Sequence, residues 1–557
     1  MKKFLLSLVL VCSFINAQAQ WFGEPNMNNY KRMCRIVPGF GMYGDSFYHP
    51  VYKERMATSF VSHVWISAKN IDDELLLAAD MYVGTNQKEF YLGPLTTEGE
   101  KFEGATEYFN RVWEIYGHEL KTVKEKFNNG NLLLGDLPKD IREWPAIGNP
   151  YFTLTDLEIL SQDLAPFFDE NEDGLYNPLD GDLPIHSEET AFENREDLWS
   201  PFMLNFQVYN DVGPHQLSKG EIVGVEIQQI NYLLNCPSID EVDQTIFTRY
   251  KVINKHGGVL KDFKLGFYEH PILSCGQPYT GYNKELKTIY NYSREIDIAP
   301  TSFSLEGFTR NIIFLNRNLK GFISFRHPAV GIPNPKLTIP LNDKEFDNLL
   351  SLNWKDSTRI TYGGEGIDSL SEDYVNFMFT DFPTVNNGWN MLDQEPGWNF
   401  NLAVIDFGAA SNRLQNGASV DFEIANHVII EPDYPGFQVF DIWQEKVESL
   451  IDSYHDINEN PKDYLDCFET LTSTQEFDQI DVLIYPNPAD KILYIESDKN
   501  DINFQLYDAQ GKFLDRIKNS EMENSIDLSS YAAGLYFLIT EDAKANKISS
   551  QKFVITR

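Results

Sequence analysis

The chain has 557 residues, of which 83 are acidic and 46 are basic, so its formal net charge at pH 7 is −37. A charge of this size repels nucleic acids and acidic membrane surfaces, and nucleic acid is therefore excluded as an expected partner. With 42% hydrophobic and 14% aromatic residues, the chain can bury a large core and is predicted to form two or three domains.

The first residues have the pattern of a secretory signal peptide. Lys2-Lys3 precedes an apolar run over residues 4–15, and Ala17-Gln18-Ala19 supplies the small residues of a cleavage site. We predict a signal peptide over residues 1–19. No later stretch has the roughly 20 consecutive apolar residues of a membrane helix, so no transmembrane segment is expected in the mature chain.

An acidic, asparagine-rich segment at residues 169–180 carries the clearest metal-binding pattern. Its spacing, Asp-x-Asn-x-Asp-Gly-x-x-Asn-x-x-Asp, supplies the oxygen ligands that Ca²⁺ prefers and a glycine where the loop must turn. The segment resembles the calcium loops of dockerins and thrombospondin type 3 repeats, which implies a structural Ca²⁺. An Asx-rich turn without a metal is the alternative. The predicted ligands are the side chains of Asp169, Asn171, Asp173, Asn177 and Asp180 and the carbonyl oxygen of Leu175.

Residues 201–457 show the alternation of half-buried antiparallel strands, and we predict a β-rich domain there. A helix at about residues 439–454 is expected to close this domain, and a shorter helix is predicted at residues 118–127 of a mixed N-terminal region, residues 20–200. The apolar sets that should point inward are Val223, Val225 and Ile227; Ile246, Thr248, Tyr250 and Val252; Phe263, Leu265 and Phe267; and Val420, Phe422 and Ile424.

The C-terminal part is predicted to be a separate small β-sandwich. Residues 458–478 are polar and uneven, as in a linker, and residues 479–557 contain short alternating runs separated by turn formers. The fold class expected for the whole chain is therefore mainly β: a β-sandwich-rich multi-domain body with a few helices, followed by a small Ig-like sandwich. The residues expected inside that small sandwich are Ile492, Tyr494, Phe504, Leu506, Tyr536, Leu538, Phe553 and Ile555.

Ordered motifs in this last segment resemble the type A C-terminal sorting domain of Bacteroidota type IX secretion. The resemblance implies that the secretion machinery is a partner and that the protein travels through the periplasm to the outer cell surface or the medium. The residues that carry it are Tyr485, Pro486, Asn487, Pro488, Gly511, Lys512, Gly534, Tyr536 and Lys552.

The body is similar to a group of uncharacterised Bacteroidota secreted proteins that combine such a calcium loop with a type A sorting domain. This resemblance implies location and architecture but no activity. Its landmarks, in chain order, are His63-Val64-Trp65-Ile66-Ser67, Phe90-Tyr91-Leu92-Gly93-Pro94-Leu95, Arg111-Val112-Trp113, Glu143-Trp144-Pro145-Ala146, the loop with Asn177-Pro178 and Gly181-Asp182, Tyr209-Asn210-Asp211, and Trp354-Lys355-Asp356 leading to Tyr362-Gly363-Gly364.

Export into an oxidising compartment permits disulfide bonds between the four cysteines that follow the signal peptide. Cys236 and Cys275 each end a predicted strand in neighbouring segments, and we predict that they pair. This pairing is one of three complete connectivities.

The patterns of common hydrolases are missing or incomplete. His118-Glu119 lacks the second histidine of a zinc-protease helix, and no Gly-x-Ser-x-Gly elbow occurs. The sequence favours a non-catalytic adhesion or structural surface protein. A carbohydrate-binding or glycan-degrading accessory protein, with Trp389 and Trp398 as a stacking platform, is one alternative, and a secreted hydrolase with an unrecognised site is another.

Overall fold

The computed structural model describes residues 48–49, 56–57, 59–81, 88–102, 108–152, 164–187, 201–271 (except 235, 237 and 244), 278–292, 307–326, 334–394, 399–408, 412–460 (except 432), 464, 467, 482–497, 503–508, 513–518, 523–542 and 547–556. The chain forms two compact units: the body, Met1–Phe468, and the C-terminal unit, Glu469–Arg557. The predicted signal peptide and Cys275 lie outside the described residues.

The described strands of the body follow one another with few helices between them. They are β1 Tyr48–His49, β2 Met56–Ala57, β3 Ser59–Lys69, β4 Leu75–Ala79, β5 Tyr91–Leu92, β6 Trp113–Tyr116, β7 Phe167–Phe168, β8 Leu183–Pro184, β9 Met203–Asn210, β10 Val225–Leu233, β11 Thr245–Asn254, β12 Leu260–Pro271, β13 Tyr279–Asn283, β14 Thr288–Tyr292, β15 Phe308–Phe314, β16 Asn318–Arg326, β17 Asn399–Asp406, β18 Arg413–Leu414 and β19 Ser419–Ile430. The α-helices are α1 Gly117–Asn128, α2 Lys139–Arg142, α3 Asp240–Asp243, α4 Asp343–Leu350 and α5 Phe440–Glu459, and short 3₁₀ turns cover Leu134–Asp136, Pro178–Asp180, Pro335–Leu337, Met391–Asp393 and Gly436–Val439.

Two antiparallel sheets form the sandwich of the body. The nine-stranded sheet has the order β13-β14-β15-β19-β11-β10-β9-β5, with β6 also beside β9, and the six-stranded sheet has the order β16-β17-β12-β3-β4, with β18 beside β12. The two sheets meet through aromatic rings, since Phe267 of β12 contacts Tyr250, Phe314 and Phe422 of the nine-stranded sheet. We call the side of the nine-stranded sheet that meets β12 its inner face and the opposite side its outer face.

Helix α5 covers part of the outer face. Its apolar residues recur at helical spacing, and Trp443, Val447 and Leu450 are all fully buried. The Trp443 indole donates a hydrogen bond to Asn311 Oδ1 of β15 at 2.7 Å, and Tyr454 stacks on Phe247 of β11. The predicted closing helix is confirmed, although it extends to Glu459, and the helix predicted at residues 118–127 corresponds to α1.

The central strands differ from the prediction in one respect: they are buried on both faces. All positions of β9 and β10 are buried, because the inner face meets the six-stranded sheet while helices and loops cover the outer face. The predicted inward sets do lie on the inner face, as the contacts of Tyr250 and Phe422 with Phe267 show. Among the residues between them, Glu226, Phe247 and Glu423 are buried as well, whereas Arg249, Lys251 and Asp421 are half-buried. Alternation in the sequence does not reveal this burial.

The predicted boundary between residues 200 and 201 does not separate two domains. Strand β3, before that boundary, pairs with β12, after it, and β5 and β6 pair with β9 in the same way. One continuous hydrophobic core contains buried residues from Val64 to Cys467. The mixed region and the β-rich region therefore fold together as one unit.

The predicted Cys236–Cys275 disulfide is wrong, because the structure bonds Cys236 to Cys467, 231 residues later in the sequence. Cys236 follows β10 just before α3, and α3 packs against α5, where Lys446 lies 2.9 Å from Glu241. Helix α5 returns the chain to the end of β10, so Cys467 arrives beside Cys236. This proximity is set by tertiary packing and not by neighbouring strands.

The C-terminal unit is a small two-sheet β-sandwich, as predicted. Its strands are β20 Val482–Tyr485, β21 Ile492–Ser497, β22 Asn503–Asp508, β23 Phe513–Lys518, β24 Glu523–Asp527, β25 Gly534–Asp542 and β26 Lys547–Ile555, in sheets ordered β20-β21-β24 and β23-β22-β25-β26. Most residues predicted inside this sandwich are buried there, but Ile492 and Tyr494 are 43% and 45% exposed, whereas Leu493 and Ile495 are buried.

Candidate functional site

The predicted sorting motifs meet at the last strand of the C-terminal unit. The Pro486-Asn487-Pro488 turn follows β20, and the Asn487 side chain donates to the Lys552 carbonyl at 3.0 Å and accepts from the Val554 N–H at 3.1 Å. The next residue, Ala489, continues this pairing with β26. The turn and the end of the chain therefore form one structural feature, although about 65 residues separate them in the sequence.

Other motif residues lie in the core or next to it. Tyr536 of β25 is buried, stacks on Phe553 of β26, and donates its hydroxyl to the Ala532 carbonyl at 2.8 Å. Gly534 begins β25, and Tyr485, at the end of β20, stacks on Tyr494. Gly511 and Lys512 lie outside the described residues.

The predicted calcium segment is an exposed loop between β7 and β8 that its own side chains organise. Asp169 accepts hydrogen bonds from the Glu172 and Gly174 N–H groups at 2.7 Å each. Asp173 accepts from the Leu175 N–H at 2.8 Å, and the Asn177 amide donates to Asp180 at 2.7 Å. Gly174 has φ 77°, a left-handed conformation that suits glycine and accounts for its place in the pattern.

The loop also depends on Asp182, which the sequence analysis gave as a landmark beside the loop but not as a ligand. This fully buried carboxylate accepts hydrogen bonds from Glu170 N at 2.8 Å and Asn177 N at 2.7 Å, so it joins the two ends of the loop. The pKa of Asp182 is raised to about 6, mainly by burial and to a smaller extent by the charges of Asp169 and Asp173, while the two backbone hydrogen bonds oppose the shift. Its position just after the calcium pattern is the signal in the sequence that could have identified its role in the loop.

The donor set of the loop fits a calcium ion in its chemistry, because the predicted ligands are carboxylate, amide and carbonyl oxygens. The positions of the side chains do not form a complete set of metal ligands. Within the part of the chain that the structure describes, no group of three or more His, Cys, Asp or Glu side chains has a metal-binding arrangement. In this arrangement the three aspartates hold the loop through backbone N–H groups or, for Asp180, the Asn177 amide.

A pocket of about 200 Å³ opens on the outer face of the nine-stranded sheet. Strands β9, β10, β11 and β19 form its floor, and the segment around β7 and β8 forms one wall. The floor is partly apolar, and its polar and charged groups lie on β10, β11 and β19. The wall contributes further polar groups. Its lining residues are Leu164, Pro166, His186, Ser187, Phe206, Gln228, Ile230, Arg249, Lys251, Ser419 and Asp421.

Three charged side chains of the pocket come from two paired strands. Arg249 and Lys251 are two residues apart on β11, and both project from the outer face, where Arg249 donates to Ser187 Oγ at 2.5 Å. Asp421 of β19 is the cross-strand neighbour of Lys251. Its carboxylate is already paired with Arg317 at 2.8 Å, in a half-buried ion pair. Motif searching could not find this site, because its residues come from six separate segments.

His186 is the most buried titratable side chain of the pocket lining. It is 7% exposed and lies against the ring of Tyr232. Burial, together with the nearby charge of Arg249, lowers the pKa of His186 to about 4, so its imidazole is neutral at pH 7. Among the described residues, its Nδ1 atom has no hydrogen-bond partner.

The predicted tryptophan platform does not form around Trp389. This side chain is 5% exposed, and its indole donates to the Gly364 carbonyl at 2.9 Å while its ring packs against Tyr362 and Phe379. Trp389 is therefore part of the core, and Trp398 lies outside the described residues.

A second buried polar cluster lies between the two sheets. Glu269 of β12 and Arg310 of β15 form an ion pair with an N–O distance of 2.5 Å, and both side chains are fully buried. Asn401 donates to Glu269, while Asn291 and Asn426 accept from Arg310. We call these five residues the interior polar cluster. Because it is enclosed by the two sheets, it belongs to the core and not to a ligand site.

Comparison with known proteins identifies the C-terminal unit. Residues 483–556 match the family model of the secretion system C-terminal sorting domain. A type IX secretion sorting domain therefore ends the chain, its machinery is a partner of that domain, and the protein is secreted or lies at the outer cell surface, as predicted. The search of the curated proteins found no match.

Similarities of the chain to solved structures are remote. PorZ, a surface component of the type IX secretion system of Porphyromonas gingivalis, has 10% identity over 66% of this chain and 47% of that chain, with a TM-score of 0.14. A polysaccharide lyase has 9% identity, coverage of 64% and 40%, and a TM-score of 0.15. The BSP domain of a biofilm-associated protein has 9% identity, coverage of 57% and 60%, and a TM-score of 0.13. The chain spans less than two thirds of each of these structures, and scores this low carry no argument about the body.

None of the described helices is both long enough and apolar enough to cross a membrane.

Proposed function

We propose that the body is a non-catalytic surface component that acts in adhesion or within a structural layer, after the sorting domain has directed its export. The match of residues 483–556 to the sorting-domain family carries this proposal. The buried Cys236–Cys467 disulfide supports it, because such bonds persist in the oxidising compartments through which exported proteins pass. A signal peptide at residues 1–19 would provide the first export step.

Deletion of residues 482–557 tests the export part of this proposal. We expect the truncated protein to accumulate in the periplasm, while the full chain reaches the surface or the medium. Fractionation of cells followed by immunoblotting measures this distribution. Normal surface delivery of the truncated protein, folded and in normal amounts, would refute the assignment of the export route.

Binding experiments separate the adhesion proposal from the two alternatives. The surface-displayed protein should bind host or bacterial surface proteins, or glycans, without altering them. Saturable glycan binding without turnover would favour a carbohydrate-binding accessory protein, and turnover that a single carboxylate substitution abolishes would establish a hydrolase. A glycan panel, with every hit assayed for product, distinguishes these outcomes.

We further propose that a structural Ca²⁺ stabilises the loop at residues 169–180. The oxygen donors of the predicted ligands support this, because Ca²⁺ prefers carboxylate, amide and carbonyl oxygens. A bound cation would offset the repulsion between the loop carboxylates and order the connection between β7 and β8. The ion would have no catalytic role.

The Asp173→Ala variant tests the calcium proposal. In wild-type protein, Ca²⁺ at 100 times its dissociation constant should add about 2.7 kcal/mol of stability, and the variant should lose most of this increment. The Asp368→Ala variant is a matched control, because Asp368 accepts from the Leu370 N–H in the same way that Asp173 accepts from Leu175. Equal wild-type melting temperatures in calcium and in chelator would contradict the proposal.

A further inference from the structure

The pocket on the outer face has a size that suits one ring. Its volume of about 200 Å³ exceeds that of a cavity of about 150 Å³ known to hold benzene. Phe206, Ile230 and Leu164 provide an apolar surface for the ring, and Ser187, Gln228 and Ser419 provide polar groups around it. Four of the eleven lining residues are apolar and seven are polar or charged, so the lining suits a ligand that is itself partly polar.

The charges around the pocket leave a positive excess among the described residues. Glu423 is the cross-strand neighbour of Arg249, and Asp421 is the neighbour of Lys251. Asp421 also has Arg317 as an ion-pair partner. Glu226, whose charge acts on Lys251 and Lys255, adds one acidic side chain, and Lys255 adds one basic side chain. These four basic and three acidic side chains leave one positive charge, in a chain whose net charge is −37. Among the described residues Lys251 forms no ion pair within 4.0 Å, so its ammonium group is available to a ligand.

The position of His186 adds a requirement for a second polar group on the ligand. Its Nδ1 atom is buried and without a hydrogen-bond partner among the described residues, and an unmade buried hydrogen bond is unfavourable. Because the imidazole is neutral at pH 7, its Nδ1 atom can either donate or accept, depending on the tautomer. A ligand hydroxyl group can complete this bond in either case.

We propose that this pocket binds a six-membered ring that carries both a carboxylate and hydroxyl groups, as in a uronic acid. The carboxylate lies between Arg249 and Lys251, the ring rests on Phe206 and Ile230, and a hydroxyl group meets His186. This assignment goes beyond the proposed function, and it holds whether the body serves adhesion or a structural layer.

Titration calorimetry with the full chain tests the ligand class. The probes are glucuronate and galacturonate, with glucose as the uncharged analogue and cyclohexanecarboxylate as the analogue without hydroxyl groups. At low ionic strength we expect at least one uronate to bind with a dissociation constant on the order of 1 mM or below. Glucose should bind at least tenfold more weakly, because it lacks the charge-assisted hydrogen bonds.

Two variants locate the binding. Lys251→Gln should weaken uronate binding about tenfold or more, whereas Lys320→Gln should leave it unchanged. Lys320 is a matched control, since it is a half-buried strand residue of the six-stranded sheet without an ion pair among the described residues. His186→Phe, which retains the ring packing against Tyr232, should weaken uronate binding but not cyclohexanecarboxylate binding.

Each possible result decides between these assignments. The proposal would be overturned if neither uronate bound measurably at a concentration about 10-fold above the expected dissociation constant. It would also be overturned if glucose bound as tightly as the uronates. Equal uronate affinity in the Lys251→Gln and Lys320→Gln variants would place the ligand elsewhere. Tighter binding of cyclohexanecarboxylate than of both uronates would reassign the pocket to apolar acids and reject the role of His186. If His186→Phe fails to fold, the two lysine variants still decide the location.

Discussion

Replacement of Glu269 by glutamine should destabilise the body strongly, although the change is nearly isosteric. Glu269 and Arg310 are both fully buried, and their ion pair connects β12 of one sheet with β15 of the other. The substitution removes the negative charge and leaves the Arg310 guanidinium in the core without a counterion. Arg310 retains hydrogen bonds to Asn291 and Asn426, at 3.1 Å and 3.2 Å, but both partners are neutral.

The expected loss of stability follows from the burial of the remaining charge. Removing one member of a buried ion pair typically destabilises a protein by about 3–5 kcal/mol, because the partner loses its compensation and cannot reach water. The introduced glutamine would also have one carbonyl oxygen to offer to both Arg310 and Asn401, whereas Glu269 uses two oxygens. Since folded domains are stable by only about 5–15 kcal/mol, this loss is a large part of the total.

Tryptophan fluorescence during urea denaturation measures the loss in the full chain. All nine tryptophans lie before residue 469, so the signal reports the body and not the C-terminal unit. Glu423→Gln is the matched control, because Glu423 is also buried but accepts hydrogen bonds from the Tyr232 and Tyr454 hydroxyl groups. Burial raises the pKa of Glu423, and its neutral replacement should therefore be tolerated better.

The comparison between the two variants decides whether the charge matters. We expect Glu269→Gln to lose at least about 2 kcal/mol more than Glu423→Gln, in line with the difference between charged and neutral hydrogen-bond partners. Equal losses, or a loss below about 1 kcal/mol for Glu269→Gln, would refute the reasoning about the buried guanidinium.

Two further predictions concern the disulfide and acid stability of the body. Peptide mapping under non-reducing conditions should recover a Cys236–Cys467 link, and a Cys236–Cys275 peptide would contradict the structure. Replacing both cysteines by alanine should lower the free energy of unfolding by about 5 kcal/mol, according to the chain-entropy model for a separation of 231 residues. Burial lowers the pKa values of His63 and His186 to about 3 and about 4, below the unfolded value of 6.5, so the unfolded chain takes up protons first on acidification. The stability these neutral histidines provide is fully present above pH 6.5 and is lost towards pH 4, where His186 alone accounts for about 3 kcal/mol. Fluorescence-monitored denaturation at pH 7, 5.5 and 4 checks this, and the loss between pH 7 and pH 4 should be smaller in the His186→Phe variant than in the wild type.

The C-terminal unit shows how far alternation alone predicts a core. In β22 only one set of alternate positions is strongly apolar, and the predicted residues Phe504 and Leu506 are buried. Strand β21 begins Ile-Leu-Tyr-Ile, so both sets are apolar and alternation cannot choose between them. The pairing of β21 with β20 and β24 buries Leu493 and Ile495, the set that was not predicted.

The candidate sites differ in predictability for a related reason. The sorting motifs and the calcium pattern are contiguous in the sequence, so spacing alone identifies them. The pocket combines β9, β10, β11 and β19 with the wall near His186, and the disulfide joins residues 231 positions apart. Such sites depend on which strands are neighbours in the sheet, and the local periodicity of the sequence does not predict strand order.

The interior polar cluster shows that a polar residue does not by itself mark the exposed face of a strand. A polar residue between apolar ones predicts a solvent-facing side in an antiparallel sheet, yet Arg310, Asn291 and Glu269 all lie between the two sheets. Arg310 pairs with Glu269 across the sandwich, and Asn291 accepts from Arg310 within the nine-stranded sheet. The charged position of one sheet is therefore matched to that of the other. A one-residue slip of β15 would turn Arg310 away from Glu269 and bring Asn311 inside. The buried charges therefore disfavour the alternative registers that an entirely apolar interior would tolerate.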